Sequence, residues 1–407
     1  MISWKEAKSI ISKNIFSMGK ERVLLNESVG RVLRENIMAS FPSPRFNNSA
    51  MDGFAVRSID TKKASKDKPV ELKIIDISSA GSPSRISIGF GECVQCMTGA
   101  KIPKGADAIL KVEDTSGFSN NDYVKIMVPA SYGAHIRKRG EEINEGDLLI
   151  KKGIRVTANE LGTCATFGYG ELNVSQKPKI SIFGTGNELV EPGENLKEGQ
   201  IYNSNLYVFT DLAEKAGAQI KMREVIRDNK ESLKLFLSEA LEVSDVIISS
   251  GGVSMGRYDY VRDAFIDLGV KEHFWKVAQK PGKPLFFGTI ENKLIFGLPG
   301  NPVSSYIGFM EWVWPVLKVM MGENCEKDLY GMLDESFPLE KTKHRFLFGR
   351  AYYKNGKLVC RPTSRVGSHM LTSALGANCI LGSEPGDGFL NPGDLIKINL
   401  LPWENIK

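Results

Sequence analysis

Residues 245–259 read Asp-Val-Ile-Ile-Ser-Ser-Gly-Gly-Val-Ser-Met-Gly-Arg-Tyr-Asp, a short apolar run that opens into serine and glycine. Without a Cβ, glycine lets the backbone approach a ligand closely. Ser249, Ser250, Gly251, Gly252, Ser254 and Gly256 therefore make a loop able to turn N–H groups toward an anion. The same residues suit a tight strand-to-helix turn with no ligand. Asp245 and Asp259 flank the loop. Other polar loops carry similar chemistry: Gly184-Thr185-Gly186-Asn187-Glu188, Arg227-Asp228-Asn229, Lys276 followed by Lys280-Pro-Gly-Lys283-Pro, and Gly297-Leu-Pro299-Gly300-Asn301-Pro302. Residues 46–56 form one more polar stretch with a single carboxylate, Asp52, that reads either as a site loop or as an Asn-rich turn into a strand at Phe54. Thr98 opens a loop between two strand-like runs. The turn Arg137-Lys138-Arg139-Gly140-Glu141-Glu142 reads as solvated surface.

Zinc and thiol chemistry find little support. The six cysteines are scattered, as expected of reduced thiols. Cys93 and Cys96 have Cys-x-x-Cys spacing, but no second pair completes a zinc site, and the run alternates as a strand would. The four histidines lie far apart. A length of 407 residues implies about two to four domains. The composition, 42% hydrophobic and 25% charged, is that of a soluble globular protein. A net charge of +5 is small for this length and argues against nucleic acid as the partner. No apolar run approaches membrane-spanning length, and the charged N-terminus does not read as a signal peptide, so a cytoplasmic protein without membrane contact is expected.

The elements that must position these loops follow from periodicity. Ser3 caps a helix with Trp4, Ala7, Ile11 and Ile15 on one face, ended by Gly19. From residue 68 to 139 the pattern is β-like, with runs at 70–77, 92–97, 108–112 and 123–128. A helix is expected over 158–167. From Lys179 strands alternate with helices. Runs at 180–183, up to 226, at 246–248, 285–287 and 294–296 are strands, and helices carry Leu206 to Ala216, Leu233 to Leu241 and Tyr258 to Leu268. Asn301 at N-cap and Pro302 at N1 open a long helix to Met321, kinked at Pro315. Repeated βα units predict a parallel sheet with helices on both faces, and every polar loop follows a strand, so their side chains converge at one sheet edge. Beyond Gly322, short runs split by turns predict a small β-barrel. The fold class expected is therefore α/β multidomain. A discontinuous N-terminal domain (1–45 and 140–178) holds an inserted β-rich domain (46–139). A doubly wound parallel-sheet domain (179–325) and a C-terminal β-barrel (326–407) follow.

In order along the chain, Asn48-Ser-Ala-Met-Asp52-Gly-Phe-Ala, Met97-Thr98-Gly-Ala, Arg139-Gly-Glu, Gly184-Thr-Gly-Asn-Glu188-Leu, Gln200-Ile-Tyr-Asn-Ser-Asn, Ile226-Arg-Asp228, Ser249-Ser-Gly-Gly-Val-Ser, Lys280-Pro-Gly-Lys-Pro, Gly297-Leu-Pro-Gly-Asn-Pro-Val-Ser and Gly367-Ser-His369 resemble one family. It is the molybdopterin molybdenumtransferases, which include the C-terminal enzymatic domain of gephyrin. The resemblance implies the final step of molybdenum cofactor synthesis: molybdate enters the dithiolene of adenylylated molybdopterin, with Mg²⁺ and release of AMP. It assigns Asp52, Glu188, Asp228, Asp259, Lys276 and Lys280 to catalysis. Substrate binding falls to Thr98, Gly184, Thr185, Gly186, Ser249, Ser250, Gly251, Gly252, Ser254, Pro299, Gly300, Asn301 and Pro302. Lys280, Lys283, Arg345 and Ser368 suit molybdate, a dianion that needs converging cations and hydroxyls. Glu188, Asp228 and Asp259 suit Mg²⁺, a hard cation that takes carboxylate and phosphate oxygens. A homodimer is implied, and the molybdopterin adenylyltransferase of the preceding step is a further partner. The chain departs from the family pattern at Asn47, Asn187, Glu142 and Phe54. Two other readings stay open: a molybdopterin adenylyltransferase, whose α/β module occurs alone, and a scaffold that keeps the fold without activity.

Overall fold

The computed structural model describes the chain except for residues 119–120, 228, 253–259, 324–327, 365–366 and 403–407. The expectations for Asp228, Ser254, Gly256 and Asp259 therefore lie outside the described residues. Two compact units emerge, one of Met1–Glu35, Lys152–Ala158 and Glu171–Lys407, the other of Asn36–Lys151 and Asn159–Gly170. No helix among the described residues is long and apolar enough to cross a membrane.

The first unit is built on a six-stranded sheet. Its spatial order is Gln219–Ile226, Lys179–Thr185, Val246–Ser250, Lys293–Leu298, Pro284–Ile290 and Lys271–Lys276. The first four run parallel, which places the ends of the strands before Gly186, Gly251 and Pro299 on one edge. The last two join through antiparallel pairings, so Pro284–Ile290 runs against the other five strands, a departure from the parallel sheet expected. The cause is local: only Glu291 and Asn292 separate Pro284–Ile290 from Lys293–Leu298, and a turn that short allows a hairpin but no crossover. Glu291 takes φ 49° in this turn.

Alternation along the strands fills both faces of the sheet. Ile180, Ile182, Val246, Ile248 and Phe296 pack with Phe209 and Trp312, while Phe183, Ile247 and Ile295 pack with Phe236 and Phe265. The N-terminal helix Trp4–Asn14 is capped by Ser3 Oγ, which accepts from the Glu6 amide at 3.1 Å, and it buries Ala7 and Ile11. It stops well before Gly19. Asn14 Nδ2 donates to the Ile10 carbonyl at 2.8 Å and satisfies a terminal acceptor there.

The helix expected from Pro302 to Met321 is three pieces: Pro302–Gly308, a π-helical turn Phe309–Val313, and Trp314–Met320. Pro315 has no N–H to give the carbonyl of Glu311, four residues earlier. The buried ammonium of Lys8 donates to that carbonyl instead. Beyond it the chain closes a five-stranded barrel, in the order His344–Lys354, Lys357–Pro362, Leu329–Leu333, Leu395–Leu400, Cys379–Ser383 and back to His344–Lys354. Gln279–Lys280 pairs in parallel with His344 and Arg345, which binds a loop of the sheet to the wall of the barrel.

The second unit carries a five-stranded sheet ordered Ala108–Lys111, Gly53–Val56, Glu92–Cys96, Val70–Ser78 and Tyr123–Ile126. Cys93 packs in one apolar cluster and Val94 with Cys96 in another, so the two thiols face opposite sides of the strand. Burial raises the Cys93 thiol to about 12 and the Cys96 thiol to about 11. Both are structural apolar groups.

Candidate functional site

A cavity of about 990 Å³ opens in the first unit where the sheet loops meet the barrel. Thr185, Gly186, Glu188, Ser250, Gly251, Gly252, Pro299, Gly300, Asn301 and Pro302 line it from the sheet side. Lys280 and Lys283 come from the loop that pairs with the barrel, and Arg345 and Ser368 from the barrel domain. Most of the residues proposed from sequence thus share one space. Gly184 and Ser249 sit one position earlier, inside their strands and behind the lining. Lys276 is not among the lining residues, and its ammonium lies 4.1 Å from the centre of the Trp275 ring.

The loops hold their shape through specific bonds. Gly252 has φ 68°, and a Cβ there would collide with Val261, so only glycine fits. The Gly251 N–H donates to the Leu298 carbonyl at 2.9 Å, so this amide serves the fold. Asn205 Nδ2 donates both to Ser250 Oγ and to the Gly300 carbonyl, each at 2.8 Å, and clamps two of the loops together. Asn301 occupies the N-cap position with Pro302 behind it, but its side chain makes no capping bond. The lysine loop hangs on Gln279, whose Nε2 donates to the Gly282 carbonyl at 2.9 Å while its Oε1 accepts from Trp312 Nε1 at 2.9 Å. Gln279, Asn205, Lys343, His369 and Tyr202 also line the cavity and had no assigned role in the sequence reading. Tyr202, Asn205 and His369 lie within the family-like motifs. Gln279, one residue before the Lys280 motif, carried no sequence signal at all.

Electrostatically the cavity is cationic on the barrel side. Lys280, Lys283, Lys343 and Arg345 are all part of its lining. Arg345 is 7% exposed, and its Nε is buried with no hydrogen-bond partner among the described residues. Burial lowers the Arg345 guanidinium from its ordinary value, and the neighbouring Glu340 charge opposes that. A buried donor of this kind is costly unless an acceptor reaches it. Glu188 lines the cavity too, and its carboxylate has no hydrogen-bonding or ionic partner among the described residues. Among those residues no group of three or more His, Cys, Asp or Glu side chains could by itself hold a metal ion.

Asp52 and Thr98 form a cluster of their own in the second unit. The Thr98 amide and hydroxyl both donate to Asp52 Oδ1, at 2.7 and 2.9 Å, and hold its carboxyl below the usual range. Two positions that depart from the family pattern have structural duties. Asn47 Oδ1 accepts from the Arg139 amide at 2.8 Å, and Glu142 Oε2 accepts from Ser43 Oγ at 2.7 Å.

Three family models cover the chain in order: the MoeA N-terminal region (domain I and II) over residues 2–168, a probable molybdopterin binding domain over 181–319, and the MoeA C-terminal region (domain IV) over 330–401. A molybdopterin molybdenumtransferase of Staphylococcus aureus is 34% identical, over 97% of this chain and 94% of the relative. The chain belongs to the molybdopterin molybdenumtransferase family. A Staphylococcus epidermidis protein of the same name is 33% identical over 98% and 95% of the two chains. The crystal structure of a molybdopterin biosynthesis moea protein from Pyrococcus horikosii superposes with a TM-score of 0.83, at 31% identity, over 98% of this chain and 99% of that one. The multidomain α/β architecture with a C-terminal barrel is thus the family's own.

Proposed function

We propose that this protein inserts molybdate into adenylylated molybdopterin, with Mg²⁺ and release of AMP. The coarser reading, a transferase of molybdenum cofactor biosynthesis, follows from family membership. The observation that supports the finer one is the cationic wall with the orphaned Arg345 Nε, in a cavity lined by the glycine loops. Molybdate is a tetrahedral dianion, and Lys280, Lys283, Arg345 and Ser368 offer charge-assisted and hydroxyl donors of the kind it binds. The adenylate substrate carries a terminal phosphate and a phosphoanhydride, for which Thr185, Ser250, Gly300 and Asn301 supply polar lining.

The donor set suits Mg²⁺, which is commonly held by one or two carboxylates plus substrate phosphates. Glu188, the lining carboxylate without a partner among the described residues, fits that role, and Asp228 and Asp259 are proposed to join it. When bound, the ion neutralises phosphoanhydride charge. The chain's own groups hold the oxyanion against the dithiolene and exclude bulk water. Two copies acting as a homodimer, with Asp52 and Thr98 of one copy serving the cavity of the other, complete the proposal. Adenylylated molybdopterin, molybdate and Mg²⁺ supplied to the purified protein should yield AMP and molybdenum cofactor. AMP release without molybdenum incorporation, or no turnover, rejects the reading.

A further inference from the structure

Behind the cationic wall lies one carboxylate that the proposed chemistry does not use. Glu340 Oε1 stands 2.5 Å from Lys280 Nζ and 3.7 Å from an Arg345 guanidinium nitrogen. It is not a lining residue of the cavity, and its side chain is 26% exposed. Its backbone carbonyl accepts from the Gly386 amide at 2.9 Å and from the Lys343 amide at 3.5 Å. The hydrogen bond from Lys280, aided by the Lys280 and Arg345 charges, holds the Glu340 carboxyl below the usual range against the effect of burial. Glu340 is therefore anionic near neutral pH.

We propose that Glu340 is a positioning residue of the oxyanion pocket. It holds Lys280 and Arg345 side by side and competes with the incoming dianion for Lys280, so it sets how tightly the anion is held. An ammonium has three donors. The carboxylate takes one of them and lowers the positive potential of the wall. An arriving tetrahedral oxyanion meets two cations already aligned, and it binds less tightly than it would with Glu340 neutral. This inference rests on the oxyanion reading of the cavity.

The test is calorimetric titration of molybdate into the full chain, comparing wild type with Glu340→Gln, which keeps the side-chain shape and removes the charge. Glu340→Asp keeps the charge. Glu335→Gln removes a similar charge from an exposed pair of the same barrel, 3.4 Å from Arg361. Glu340→Gln should bind molybdate roughly two- to ten-fold more tightly. Glu340→Asp and Glu335→Gln should stay within about two-fold of wild type, and affinity for adenylylated molybdopterin should not follow the molybdate effect. Unchanged or weaker molybdate binding by Glu340→Gln, with wild type binding normally, overturns the inference and leaves the proposed function standing. If neither protein binds molybdate, the oxyanion pocket fails and the inference fails with it.

Discussion

Arg345 concentrates the energetic argument at the scale of single residues. Its guanidinium is buried, one donor is orphaned, and the carboxylate of Glu340 is 3.7 Å away. Hydrogen bonds to charged groups contribute about 1.5–3 kcal/mol each. Arg345→Ala should therefore weaken molybdate binding by about 1.5–3 kcal/mol, roughly ten- to hundred-fold. Adenylate binding should change far less, and the two dissociation constants measured side by side will check this. Equal losses of both would mean a damaged fold. The contrast with Lys276 is instructive. It shares charge and neighbourhood in sequence with Lys280, yet its ammonium rests on Trp275.

The unit of interest among the elements is the broken helix from Pro302 to Met320 and the N-terminal helix packed on it. Lys8 lies 4.9 Å from the ring centre of Trp4 and 4.7 Å from that of Trp312, and donates to the Glu311 carbonyl. Asn399 Nδ2 bonds the Glu311 carboxylate. The same Trp312 bonds Gln279, so the π-helical turn is connected to the lysine loop. Lys8→Met removes the cation beside a buried Glu311 and should destabilise the protein by about 3 kcal/mol, read from chemical denaturation. Its pH dependence has a definite sign. Burial places the Lys8 pKa below its ordinary 10.5, so the folded state loses this proton first. Between the folded value and 10.5 the unfolded chain binds more protons, and stability from this group rises with pH. The Lys8→Met variant should lack that rise relative to wild type.

For the molecule as a whole, the division into an N-terminal domain interrupted by a β-rich insertion, a sheet domain and a barrel remains our proposal. So does the homodimer. Asp52 and Thr98 belong to one compact unit and the cavity to the other. If the two act together across copies, Asp52→Ala and Lys280→Ala proteins, each inactive alone, should regain turnover when mixed and allowed to exchange subunits. About a quarter of wild-type turnover is expected, because half of the dimers are mixed and each mixed dimer carries one intact site. No recovery in a sample shown by sedimentation to contain mixed dimers rejects the arrangement.

Sequence alone determined what depends on local patterning. Alternation placed the strands of the β-rich block, because one face of each must be apolar whatever it packs against. Strand-then-loop order put the Gly186, Gly251 and Pro299 turns on one sheet edge, because parallel strands expose their loops at the same end. Ser3 fixed the start of the first helix through a bond spanning three residues. Tertiary structure decided whatever needs a partner distant in the chain. Pro315 announced a break, but a π-helical turn forms where Lys8, hundreds of residues earlier, supplies the donor Pro315 lacks. The hairpin of the last sheet strands turned on the brevity of one connection. Gln279 and Glu340 gave no signal, because their roles lie in bonds to Trp312, Lys280 and Arg345 that exist only once the sheet loop pairs with the barrel.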